Sequence, residues 1–116
     1  MWITPDVNVP DALLAAQRDN RLVIFAGAGV SVDPPSGLPL FKSLAHRIGE
    51  DAGVMASEQD LDAPDRFLGD LASKTDVHRR VADLLSNEES QPNLLHAALL
   101  RLAVAGGRDP RLVTTN

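Results

Sequence analysis

Apolar positions along this chain recur at helical spacing in five places and cluster into strand-like runs in two. Pro10 and Asp11 open the first helical pattern, through Leu13, Leu14 and Gln17. Proline at a first helical position and an acid in the first turn both favour a start there. Asn20 is suited to a left-handed terminator. Leu22-Val23-Ile24-Phe25-Ala26 follows, too short for a helix, rich in branched residues and apolar on both faces. That combination predicts a central parallel strand. It runs straight into Gly27-Ala28-Gly29-Val30-Ser31 and a loop, Asp33-Pro34-Pro35-Ser36-Gly37.

From Pro39 the spacing turns helical again. Leu40, Phe41, Leu44, Ala45 and Ile48 share one face, with Lys42, His46 and Arg47 off it. A third helix is expected around Ala63, Phe67, Leu68 and Leu71, with Asp62 as its cap. Val77, Val81, Leu84 and Leu85 mark a fourth. Pro92-Asn93 opens a fifth, carrying Leu94, Leu95, Ala98, Leu99 and Leu102, and Gly106-Gly107 closes it. Arg111 to Thr115 reads as a second strand.

The order is therefore helix, strand, several helices, strand. Such a crossover implies parallel strands in an α/β domain, connected with the usual right hand. The chain ends at Asn116, directly after a strand. In open α/β sheets, ligands sit beyond the carboxyl ends of strands, and two strands make a marginal sheet. Both points predict that residues 1–116 are the N-terminal part of one larger domain, inactive by itself.

Composition narrows the classes. A 44% hydrophobic fraction supports a packed core, and 3% aromatic residues leave Leu, Val, Ile and Ala to fill it. Eleven basic residues against sixteen acidic ones, with no basic run, argue against nucleic-acid binding by this segment. The absence of cysteine excludes a disulfide framework and a Cys-based zinc site here, and no metal site is expected. Neither a signal peptide nor a membrane-length apolar run is legible, so a cytoplasmic protein is expected.

The chemistry begins at Gly27-Ala28-Gly29-Val30-Ser31. Small residues after a strand let the backbone approach a pyrophosphate, with N–H groups aimed at its oxygens and the Ser31 hydroxyl as a further donor. Val32 stands where a full dinucleotide fingerprint has its third glycine, and no Gly-Lys-Ser/Thr follows to make a Walker loop. Shortly after comes Ser36-Gly37-Leu38-Pro39-Leu40-Phe41-Lys42. Pro92-Asn93-Leu94-Leu95-His96 and Leu112-Val113-Thr114-Thr115-Asn116 complete the set.

Together these elements resemble the sirtuin (silent information regulator two) superfamily, in matching order from about Leu22 to Asn116. That family has a Gly-Ala-Gly-x-Ser loop, a Gly-Ile-Pro-x-Phe-Arg segment, a Pro-x-x-x-His helix, and a strand ending in Thr-Gln-Asn or Thr-Thr-Asn. The resemblance implies a Rossmann-like domain that binds NAD and breaks its bond to nicotinamide. Gly27, Ala28, Gly29 and Ser31 would hold the pyrophosphate. Phe41 and Lys42 would lie on the cofactor-binding loop near the nicotinamide ribose, and Thr115 beside it. Asn116 matches the catalytic asparagine, whose amide can donate and accept at once to orient a ribose hydroxyl or a water. The family's catalytic histidine follows this triplet, so none of the three histidines here takes that role.

Three departures shape the reading. Leu40 replaces the acid common in deacylating sirtuins, Lys42 replaces arginine and loses its planar fork, and Thr115 replaces glutamine. The Thr-Thr-Asn form and long helical crossover look more like the NAD-hydrolysing branch found in bacterial antiphage proteins. The resemblance thus implies an NAD glycohydrolase releasing nicotinamide and ADP-ribose. It also implies self-association, or a defence-system partner, through regions outside this chain. An NAD-dependent protein deacylase and a non-catalytic NAD or ADP-ribose-binding module stay open. Phe41 equally fits core packing, Lys42 a solvated charge and Thr114 the sheet. His96 reads as structural, His46 and His78 as surface residues.

Overall fold

In the computed structural model, residues 1–104 and 109–115 are described. In chain order the elements are β1 (Trp2–Thr4), β2 (Val7–Asn8), α1 (Asp11–Arg18), β3 (Ile24–Ala26), a 3-10 turn (Ala28–Ser31) and α2 (Phe41–Asp51). Then come α3 (Glu58–Asp62), α4 (Pro64–Leu71), α5 (Val77–Leu85), α6 (Leu94–Val104) and β4 (Leu112–Thr114). The protein is mixed α/β, mostly helical, with a small parallel sheet. Two compact units divide it, Met1–Val30 with Pro92–Asn116, and Ser31–Gln91.

In the first unit, β3 and β4 pair in parallel, with Ile24 opposite Leu112, Phe25 opposite Val113 and Ala26 opposite Thr114. The expected strand is thus present but shorter, starting at Ile24 rather than Leu22. β1 and β2 form an antiparallel hairpin that the apolar pattern does not announce. It is held partly by the chain's own amino group, which donates to the Val9 carbonyl at 2.6 Å. Asn20 takes the left-handed conformation, φ 54°, just beyond α1, as expected. α6 is apolar nearly all round, yet only Ala103 in it is buried. The glycine pair expected to close it, Gly106-Gly107, lies outside the described residues.

The second unit holds the main core: Leu44, Ala45 and Ile48 from α2 against Phe67, Leu68 and Leu71 from α4. Val77, Val81 and Leu84 of α5 pack on it from the side. Helical periodicity places all of these correctly. Leu40 and Phe41, counted on the same stripe, are instead about half exposed. They sit at the very start of α2, before its apolar face reaches the core. At the other end α2 closes in a Schellman motif: Gly53 (φ 72°) donates to Glu50, and Val54 to the Gly49 carbonyl.

The third expected helix is α4, and a short helix that the apolar pattern does not announce, α3, precedes it. α3 begins with a capping box in which Ser57 and Asp60 bond reciprocally. The hydroxyl and backbone N–H of Ser57 hold the Asp60 carboxyl below the usual aspartate range. α4 starts separately at Pro64, and its N-cap is Ala63, without a side-chain bond. Asp62 is therefore no cap. It ends α3 and pairs with Lys42.

Two ties close the ends of this unit on each other. The Ser36 hydroxyl donates to the Gln91 carbonyl at 2.6 Å, and the Ser90 hydroxyl to the Ser36 carbonyl at 2.7 Å. Ser36 is only 1% exposed.

Gly49 lets α2 and α4 approach. A Cβ there would lie 2.8 Å from Phe67 Cζ and 2.8 Å from the Val54 carbonyl oxygen. The second contact is backbone inside the Schellman motif and cannot swing aside. Gly49→Ala gains up to about 1 kcal/mol of helix propensity but incurs roughly 1–3 kcal/mol of overpacking. A net loss of stability is expected, read from urea unfolding. A stabilised variant would show that the α2–α4 contact relaxes freely.

Candidate functional site

Parallel pairing decides where the first motif goes. Because Ala26 lies opposite Thr114, Gly27 and Thr115 leave their strands at the same carboxyl edge. Ligands of parallel sheets gather at such an edge. Past Ala26 the chain tightens into the 3-10 turn, with Val30 N–H donating to the Gly27 carbonyl at 3.2 Å. Gly27, Ala28 and Gly29 are exposed, whereas Ser31 is buried.

The glycines of the two motifs differ in why they are glycine. Gly37, in the second motif, has φ 60°, a conformation most side chains avoid. Its identity is a backbone requirement of the turn that returns Leu38 N–H to the Ser31 carbonyl at 2.8 Å. Gly27 and Gly29 have ordinary φ, and a Cβ on either meets nothing within 4 Å. The fold does not need glycine at these two positions. What they leave is bare, exposed backbone at the sheet edge.

A feature that sequence reasoning passes over anchors this loop. Asn93, 5% exposed, donates from Nδ2 to the Val30 carbonyl at 2.8 Å. It also caps α6. His96 N–H donates to Asn93 Oδ1 at 3.0 Å, and Asn93 N–H donates to His96 Nδ1 at 3.0 Å. This is a capping box with histidine in the place usually held by Glu or Gln. An asparagine directly before an apolar run, with a polar residue three positions on, is the signal that could have found it. His96 is thus structural, as its place on the helix suggests. With Ala26, Val30, Leu112 and Thr114 it lines an apolar cavity of about 260 Å³.

Phe41 and Lys42 stand at the start of α2 in the other unit. Phe41 is half exposed rather than packed in the core. The Lys42 ammonium lies 2.9 Å from Asp62 Oδ1, an exposed pair contributing at most about 1 kcal/mol. Thr115 is exposed at the sheet edge, and Asn116 lies outside the described residues. A larger cavity, about 800 Å³ between α4 and α5, is lined by none of the expected site residues.

Among the described residues no three His, Asp or Glu side chains converge on a metal-sized site. No helix among them is long and apolar enough to cross a membrane. Comparison with protein-family models, curated proteins and solved structures found no match to this chain.

Proposed function

We propose that this chain carries the dinucleotide-binding part of a sirtuin-like NAD glycohydrolase with a Rossmann-like fold, of the kind used in antiphage defence. The observation that supports this most is the shared carboxyl edge. There the exposed Gly27-Ala28-Gly29 backbone follows β3, the strand paired with the one that leads into Thr115 and Asn116. The order of the sequence motifs is the second support.

The reaction asks little acid catalysis of the protein. The bond between ribose C1′ and the pyridinium nitrogen breaks with its electron pair going to nitrogen, so nicotinamide leaves neutral. Water adds at C1′ and loses a proton, giving ADP-ribose. A site for this must hold the dinucleotide, favour an oxocarbenium-like transition state and place the water. Gly27, Ala28 and Gly29 offer backbone N–H groups to the pyrophosphate. Asn116 orients the attacking water or a ribose hydroxyl, with Thr115 beside it.

The test is chromatographic. Full-length protein incubated with NAD should release nicotinamide and ADP-ribose in equal amounts, with no acylated peptide present. Asn116→Ala should lower turnover while leaving NAD affinity in place. Strictly peptide-dependent release, with O-acetyl-ADP-ribose appearing, would replace this reading by a deacylase. Binding without any product would replace it by a regulatory module.

A further inference from the structure

We propose that Asn93 is a positioning residue for the glycine loop, setting the loop's backbone for the dinucleotide from the N-terminus of α6. The proposal rests on the glycohydrolase reading only for the identity of the ligand; the clasp itself is drawn from the hydrogen bonds.

One buried side chain does two separate jobs. Its Oδ1 serves α6, accepting the His96 N–H, while its Nδ2 serves the loop, donating to the Val30 carbonyl. A flipped amide would set Nδ2 against the His96 N–H and Oδ1 against the Val30 carbonyl, so the two roles cannot exchange. The carbonyl and the N–H of one trans peptide point in opposite directions. Holding the Val30 carbonyl toward α6 therefore fixes the plane of the Val30–Ser31 peptide. It also fixes the sense in which the turn presents its amides. The turn is also braced by its own 3-10 bonding, Val30 N–H donating to the Gly27 carbonyl at 3.2 Å. Glycines at positions 27 and 29 add backbone freedom. Without the clasp, such a loop would sample many backbone arrangements and bind a pyrophosphate less tightly, since ordering it would then accompany binding.

The two jobs can be separated by substitution. Serine and aspartate are both good N-caps, so Asn93→Ser and Asn93→Asp keep the helix served, but neither carries an amide to reach Val30. In full-length protein without ligand, hydrogen exchange at the Val30 amide should quicken by up to about tenfold in both variants, the range set by one lost hydrogen bond. Amides in the middle of α6 should exchange as in the parent. Calorimetric titration of NAD should show a Kd raised severalfold in Asn93→Ser, the variant free of added charge. His96→Ala, which leaves the Val30 bond in place, should raise it less.

Unchanged exchange at Val30 would overturn the clasp. Faster exchange with an unchanged Kd would overturn its role in binding. Unfolding of both variants would make Asn93 a general determinant of the fold and overturn the proposal as stated. A parent protein that binds no NAD would sink the glycohydrolase reading instead, leaving the exchange measurement to decide the clasp.

Discussion

Ile48→Ala should lower the unfolding free energy by about 2–5 kcal/mol, the range for removing a buried aliphatic side chain. Ile48 is wholly buried, with Leu44 and Ala45 beside it on α2 and Phe67, Leu68 and Leu71 facing it from α4. Deleting three carbons there removes apolar burial and leaves a void. Large neighbours such as Phe67 are held in place by their own contacts, so the void closes only partly. Domains of this size carry roughly 5–15 kcal/mol in all, so the variant should sit near the edge of folding. Urea titration followed by circular dichroism would measure it. A loss under about 1 kcal/mol would show that the α2–α4 contact is not the unit's main support.

Gly29→Val should weaken NAD binding more than tenfold, over ~1.4 kcal/mol, while the protein stays folded. Both halves follow from the same geometry. Nothing in the protein lies within 4 Å of a Cβ at this position and its φ is ordinary, so the fold accommodates a side chain. The space that valine fills is the open face of the loop, where the pyrophosphate would need close approach to the backbone. Titration calorimetry on a variant of unchanged circular dichroism is the measurement. Unaltered affinity in a folded variant would reduce the loop to a turn.

Long apolar periods made the helices legible. Leu44, Ala45 and Ile48 repeat at helical spacing, as do Phe67, Leu68 and Leu71, and each set faces the other. The β3–β4 pairing followed from their separation by helices, which leaves parallel alignment as the natural arrangement. What escaped was short and held by polar bonds. The β1–β2 hairpin has strands of three and two residues, all exposed. α3 has five residues and no buried position. Its Ser57-to-Asp60 capping box was present in the letters but had no apolar run behind it to draw notice. Asn93 escaped for another reason. Its role depends on Val30, far away in sequence, and no local pattern reports a partner of that kind.

The paired ties of Ser36 with Ser90 and Gln91 carry an implication for how this architecture can vary. They bring entry and exit of the helical unit side by side, like the two feet of a handle. Whatever lies between the feet returns to where it left. Helices α2 to α5 could therefore be lengthened, shortened or exchanged for another fold of matching footing without changing the spacing of the two feet. Chain-closure entropy grows only slowly with the length enclosed, so a larger handle would cost little more to close. Diversification of specificity or of regulation would be least constrained in this excursion, while the residues at its feet would be held fixed.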